Sequence, residues 1–184
     1  MATISNAETA LLGLLSEEQM HPWQIDKEVQ WRDMRFWTDL SQSAIYKQLR
    51  SLESAGLVAV QEVAAEGRLR KVYSLADAGR QALRERLCEL LTEPEHLKWR
   101  VDLATYNVDL LAPDRAVACL AGYRAKLEEQ VASYRELEKF LIESGCPNHR
   151  LAVARRPVFL LEGEMRWVDE FISELRGDNA NPGA

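Results

Sequence analysis

Between Ser41 and Gly79 the chain reads helix, strand, basic turn, strand and new helix start, and few folds accept that order. Ser41 suits a helix N-cap, because its hydroxyl can accept a hydrogen bond from a free backbone N–H of the first turn. Gly56 suits the residue just past the helix, where a left-handed conformation carries no Cβ penalty. Ile45, Leu49 and Leu52 are spaced by four and three, so they share one face. At about 100° per residue, Ser43, Lys47, Arg50 and Ser54 fall opposite that face, with Gln42 and Tyr46 on its flank. The only acid in the helix is Glu53, near the far end. Hydroxyl, amide, lysine and arginine groups of this kind suit phosphates and base edges in a DNA major groove.

The strands reinforce that reading. Leu57, Val58, Val60 and Val63 form an apolar, β-branched run, and Leu69, Val72, Tyr73 and Leu75 form a second. Gly67 lies between them, where a turn can require positive φ. Arg68, Arg70 and Lys71 follow at once, three cations within four residues. Alone, such a run is usually a solvated turn. Next to the polar helix face it reads as a hairpin that grips phosphates. Upstream, Ala7, Ala10, Leu11, Leu14 and Leu15 make one helical face, with Asn6 or Ser5 as cap. Pro22 suits a first helical turn, and Ile25 and Val29 follow as its buried pair. Three helices and a two-stranded hairpin over residues 5–75 spell a winged helix-turn-helix.

The rest of the chain reads as all helical. Asp77 can cap a helix to about Leu91, and Glu93-Pro94 breaks it. Residues 95–111 carry apolar side chains with mixed periodicity. Ala112-Pro113-Asp114 starts a long helix to about Ser144, ended by Gly145-Cys146-Pro147. A last helix carries Leu161, Met165, Val168, Ile172 and Leu175 in alternating steps of four and three, a heptad seam. Pro157 marks either a kink in that helix or its true start. The expected division is a winged helix-turn-helix over 1–80, a helical dimerisation domain over 81–178 and a disordered tail over 179–184. The seam residues are the expected dimer contacts, because two-fold winged helices read two half-sites roughly 34 Å apart.

Charge at first argues against DNA, since the net is −6 over 184 residues. Its distribution removes the objection. Residues 1–80 carry a net of only −2, and their cations cluster on the helix face and the wing. Contact with phosphate depends on local potential within a Debye length of about 8–10 Å. The three cysteines are scattered without metal-ligand spacing and suit reduced thiols in a cytoplasm. No apolar run approaches the ~20 residues of a membrane span. His21, His96 and His149 lie far apart, and no nucleophile elbow, P-loop or zinc-protease motif occurs. The expectation is no catalysis, no cofactor and no metal.

At this point three segments resemble the PadR-type transcriptional regulators. Ala7 to Ile25 is similar to that family's opening helix, turn and second helix. Ser41 to Val58 is similar to its recognition helix, including Tyr46. Gly67 to Leu83 is similar to its wing and following helix. His21, Pro22 and Trp23 depart from the family's usual small glycine and aromatic, and Lys47 stands where proline is frequent.

The resemblance implies a cytoplasmic, homodimeric regulator that binds an operator, with a helical C-terminal dimerisation domain. It also implies a small aromatic effector, for which Trp99 and Trp167 are the candidate pocket residues. The expected DNA contacts are Gln42, Ser43, Tyr46, Lys47 and Arg50 on the helix, with Arg68, Arg70 and Lys71 on the wing. The competing expectation is a winged-helix protein-interaction module that binds no DNA.

Overall fold

The computed structural model describes residues 4–65 and 68–179, leaving out the side chains of residues 65, 68, 178 and 179. Helix α1 (Asn6–Leu15) starts at Ser5, whose hydroxyl accepts from the Glu8 N–H while the Glu8 carboxylate accepts from the Ser5 N–H. That reciprocal pair satisfies two backbone donors that would otherwise be orphaned. Helix α2 (Pro22–Trp31) opens on its proline. Helix α3 (Gln42–Ser54) is capped by Ser41, whose Oγ accepts from the Ala44 N–H at 3.2 Å. It ends at Gly56, with φ of 69°. Both cap assignments follow the sequence pattern.

Strands β1 (Val58–Ala65) and β2 (Arg68–Leu75) pair antiparallel, with Val58 opposite Leu75 and Val60 opposite Tyr73. A further contact joins them from outside. Met20, in the turn before α2, exchanges both backbone hydrogen bonds with Tyr73 at 2.9 Å. The turn expected at Gly67 lies outside the described residues. Among the described residues the architecture is therefore mainly helical, with one two-stranded sheet forming the wing.

Two compact units make up the chain, Met1–His96 and Leu97–Ala184. The core of the first gathers one face from each helix. Leu11, Leu12, Ile25, Val29, Ile45, Leu49 and Leu52 are fully buried, and Tyr73 and Leu83 pack with them. Each such leucine or isoleucine contributes about 1.5–3 kcal/mol by leaving water. The sequence pattern placed a boundary at residue 80. The first unit runs on to His96, because helix α4 (Asp77–Thr92) returns to the core through Leu83 and Gly79. A Cβ on Gly79 would stand 2.0 Å from the Leu57 carbonyl oxygen, so glycine is what lets α4 approach the start of β1. Two arginines then fix the approach to α3. Arg32 bonds Glu17 and Glu28, and Arg35 bonds Asp26 at 2.6 Å and the Leu40 carbonyl at 3.0 Å.

The second unit holds the short helix α5 (Arg100–Tyr106) and a turn of 3-10 helix at Val108–Leu110. The long helices α6 (Pro113–Glu143) and α7 (Asn148–Asn179) follow and pack on each other. Its core is narrow: Leu120 and Leu127 against Val168 and Ile172, flanked by Val117, Tyr123, Leu161, Met165, Trp167, Phe171 and Leu175. Pro157 lies inside α7, so the helix begins well before it, at Asn148. Most of the residues expected to form a disordered tail, 180–184, lie outside the described residues. Among the described residues no helix is long and apolar enough to cross a membrane. Nor does any group of His, Cys, Asp and Glu among them suit a metal ion.

Candidate nucleic-acid interface

The buried stripe of α3 dictates what the helix shows to solvent. With Ile45, Leu49 and Leu52 in the core, Gln42, Ser43, Tyr46, Lys47 and Arg50 are all exposed. Ser43 shares a hydrogen bond with the capping Ser41 at 3.1 Å. Tyr46 keeps 43% of its surface in water. Arg70 and Lys71 are exposed on β2. Arg68 opens that strand, and its side chain is outside the described residues.

The structure brings part of this set together. An open groove of about 750 Å³ lies between α3, β2 and the first turn of α2. Tyr46, Arg50, Arg70 and Lys71 line it with Tyr73. Its remaining wall is His21, Pro22 and Trp23. No carboxylate lies among these lining residues. A second groove, of about 580 Å³, borders Ser41 and Gln42 but is lined by Asp26 and Asp39 as well as Arg35. Two carboxylates repel an anion, so the first groove is the better seat for a phosphate.

Lys71 is not a simple free cation. Its ammonium donates to both Glu53 carboxylate oxygens, at 3.2 and 3.4 Å. The Glu53 hydrogen bond, then the Glu53 charge, hold Lys71 above the ordinary lysine range. This pair joins the far end of α3 to the wing. Glu53 acts on Tyr73 too. Burial and then the Glu53 charge push that phenol above its usual value, so it stays neutral beside the cations. The hairpin is also tied to α2, since His21 Nδ1 stands 3.0 Å from the Lys71 carbonyl oxygen. With that oxygen accepting, Nδ1 is the nitrogen that carries the proton.

Sequence reasoning missed both ties and the α2 wall. Glu53 and Lys71 are 18 residues apart, and His21 and Lys71 are 50 apart. Separations of that size leave no periodic trace. The one local signal was the His21-Pro22-Trp23 run itself, which stood out as a departure from the family pattern.

The remaining candidates sit in the second unit. Trp167 belongs to the core between α6 and α7 and stacks on Phe171, ring centroids 5.7 Å apart. Trp99 immediately precedes α5, without a side-chain capping bond, and is 46% exposed. Of the expected dimer contacts, Val168 is fully buried and Ile172 nearly so, both against α6 of the same chain. Leu161, Met165 and Leu175 are half-buried beside them. Elsewhere in this unit Leu103, Tyr106 and Leu110 are 74%, 88% and 80% exposed.

Comparison with known proteins agrees with this geometry. Residues 11–85, the stretch from α1 into α4, match the Transcriptional regulator PadR-like family. The Negative transcriptional regulator PadR of Bacillus subtilis (strain 168) is 28% identical over 133 residues, 70% of this chain and 72% of that protein. The crystal structure of Bacillus subtilis PadR with operator DNA superposes with a TM-score of 0.74 at 20% identity, covering 91% of this chain and 98% of that one. The same protein with p-coumaric acid gives a TM-score of 0.75 at 20% identity, over 94% and 98% of the two chains. At such identity the structures establish the shared fold, and the winged-helix reading of the sequence is borne out.

Proposed function

We propose that this chain, which carries a PadR-like domain at residues 11–85, is a homodimeric, ligand-responsive repressor that binds a specific DNA operator. The observation that carries the reading is the meeting of Tyr46 and Arg50 from α3 with Arg70 and Lys71 from β2 around one groove free of lining carboxylates. The exposed face of α3 enters the major groove and reads base edges through Gln42, Ser43, Tyr46, Lys47 and Arg50. Arg68 and Arg70 hold flanking phosphates. Lys71 contributes when Glu53 releases it to a stronger anion.

Repression is supported by the similarity to a negative regulator. A dimer is supported by the apolar surface of the second unit, where Leu103, Tyr106 and Leu110 face solvent. In this reading Val168 and Ile172 keep α7 on α6, while Leu161, Met165 and Leu175 extend the seam to a second chain. The effector is a small aromatic acid, because the Bacillus subtilis relative has been crystallised with p-coumaric acid. Trp99 or Trp167 would stack on its ring, and binding would shift the population between operator-fitting and non-fitting dimers. The protein works in the cytoplasm.

The test is a salt series on random duplex DNA, followed by selection of bound fragments. Binding that weakens steeply with salt, with one duplex preferred, supports the proposal. Absence of binding at low salt overturns it and favours a protein-interaction module. Addition of p-coumaric acid with tryptophan fluorescence as readout tests the effector.

A further inference from the structure

Trp31, Phe36 and Trp37 fall in the stretch that joins α2 to α3, and they are 85%, 74% and 54% exposed. Indole more often anchors a core or an interface than faces water. None of the three lines the groove between α3 and β2. The stretch that carries them is held from below. Met34 is buried in the core of the first unit. Arg32 bonds Glu17 and Glu28, Arg35 bonds Asp26 and the Leu40 carbonyl, and the Thr38 hydroxyl donates to the Met34 carbonyl at 2.8 Å. Asp33 sits among these ties at a φ of 50°, a left-handed conformation that costs energy for a residue with a Cβ. Aromatic rings on a turn fixed this way are preorganised and lose little entropy on binding. The same ties set the charge. Each arginine is matched by the carboxylates it bonds, which leaves Asp33 and Asp39 exposed and without an ion pair among the described residues. Asp39 lines the groove of about 580 Å³, where Arg35 is already matched by Asp26. That groove offers an incoming cation one unmatched carboxylate.

We propose that Trp31, Phe36, Trp37 and Asp39 form a docking surface for an arginine-bearing, apolar segment of a partner protein. The charge selects the occupant. Unmatched carboxylates beside the rings repel a DNA strand and an anionic membrane surface alike. They suit a guanidinium, which stacks on an indole face and still has N–H groups to offer a carboxylate such as Asp39. Apolar side chains of the same segment cover the remaining ring surface, and buried tryptophans of this kind carry much of an interface's binding energy. Ser41 and Gln42 border the groove, so a docked segment sits beside the start of α3. The proposal goes beyond the DNA-binding reading and does not rest on it, because the surface recognises protein.

The experiment uses the full chain and two short synthetic peptides. One carries arginine and leucine at helical spacing, and its twin has glutamate in place of arginine. Trp31→Phe and Trp37→Phe each remove one indole resonance and so assign it in an ¹⁵N spectrum. The arginine peptide should shift both resonances, and fluorescence anisotropy of the labelled peptide gives its affinity. Trp31→Ser combined with Phe36→Ser should weaken binding about tenfold or more, the scale of a lost aromatic anchor. Its melting temperature should not change, since both side chains are exposed. Asp39→Asn should weaken binding about two- to fivefold, a loss that shrinks in high salt. Leu90→Ser with Leu91→Ser alters a different exposed apolar stretch and should leave binding unchanged, which separates docking from general attraction of a cation to an acidic chain. The proposal is overturned if the arginine peptide moves neither resonance, if the double variant binds it as tightly as wild type, or if the glutamate twin binds equally well. Resonances that move with anionic vesicles or duplex DNA and not with the peptide overturn it in favour of a membrane or nucleic-acid contact. Resonances that move with protein concentration alone, with the double variant monomeric, overturn it in favour of a contact between copies.

Discussion

The two units of this chain cover their apolar residues to different degrees. In the first, Leu11, Leu12, Ile25, Ile45, Leu49 and Leu52 are removed completely from water by neighbours in the same chain. In the second, Val168 alone reaches that state among the described residues, while Leu103, Tyr106, Leu110, Phe140 and Phe159 stay mostly exposed. Two helices packed side by side have one shared seam and leave the outer faces wet. Large exposed apolar surfaces mark interaction sites. The first unit therefore encloses a core of its own, although Trp31, Phe36 and Leu91 stay exposed on it too, whereas the second has only the narrow seam between α6 and α7. On the proposed function, a reader of DNA gains from that division. There the head would hold its shape in either state, whereas the part that sets the distance between two heads would be built from two chains.

The contrast can be broken in several places, beginning with the largest effect. Val168→Asp buries a carboxylate between α6 and α7 and should cost several kcal/mol. Circular dichroism should show the helical unit melting early, while the winged helix keeps its own later transition. Simultaneous loss of both transitions would mean that the first unit is not self-sufficient.

Gly79→Ala attacks the other side. Its Cβ would meet the Leu57 carbonyl oxygen at 2.0 Å, and backbone cannot swing aside as a side chain can. We expect a loss of about 1–3 kcal/mol, the usual range for overpacking, confined to the winged-helix transition in a denaturant melt. The pair Leu103→Ser and Tyr106→Ser should do the reverse. Neither side chain is buried within the chain, so the melting of a diluted sample should hardly change, while light scattering records monomer. A double variant that remains dimeric at low concentration would place the interface elsewhere.

Two smaller effects sharpen the account of the DNA face. Glu53→Gln frees the Lys71 ammonium from its carboxylate. Binding to unselected duplex should strengthen, and the salt slope should steepen by about 0.9 as one more phosphate contact forms. A slope unchanged from wild type would remove Lys71 from the interface. Glu8 is the smallest case. Burial pushes its carboxyl up, but hydrogen bonds from the Ser5 N–H and the Ser51 and Ser5 hydroxyls outweigh this and leave it below its usual value. A folded-state value lowered in this way adds stability above the ordinary glutamate range and loses it as pH falls through the lowered value. Glu8→Gln should therefore cost at most about 1 kcal/mol at neutral pH, after solvent screening, and nothing in strong acid. Urea melts of the two proteins at both pH values decide it.

The legible parts of this fold were those whose signals are local. A cap at Ser41, a glycine at Gly56 and a three-residue stripe place α3, because helix caps and periodicity act over one or two turns. The wing was legible for the same reason, and the ranges of α6 and α7 followed from flanking prolines and glycines. Residues 95–111 were not, and the structure shows why. Helix α5 has only seven residues, and none of them is buried, so no face within the chain imposes a period. The heptad seam on α7 announced an apolar stripe correctly. A stripe does not name its partner, and α6 of the same chain covers its centre. At the site, exposure on α3 could be read from what its buried face left over. The ties from Lys71 to Glu53 and His21 depend on three-dimensional neighbours and had no local trace.

Met20 closes the root of the wing from outside the hairpin. In mechanical terms the wing is then a cantilever. Its clamp extends from the Tyr73 rung, held by Met20, to Lys71, held by Glu53 and the imidazole of His21. Past the clamp, Val63 and Leu69 stand in solvent, so a load on the outer hairpin bends the outer rungs first. On the proposed function, such a beam would yield to a duplex in its outer rungs while the clamped rungs keep their place beside α3.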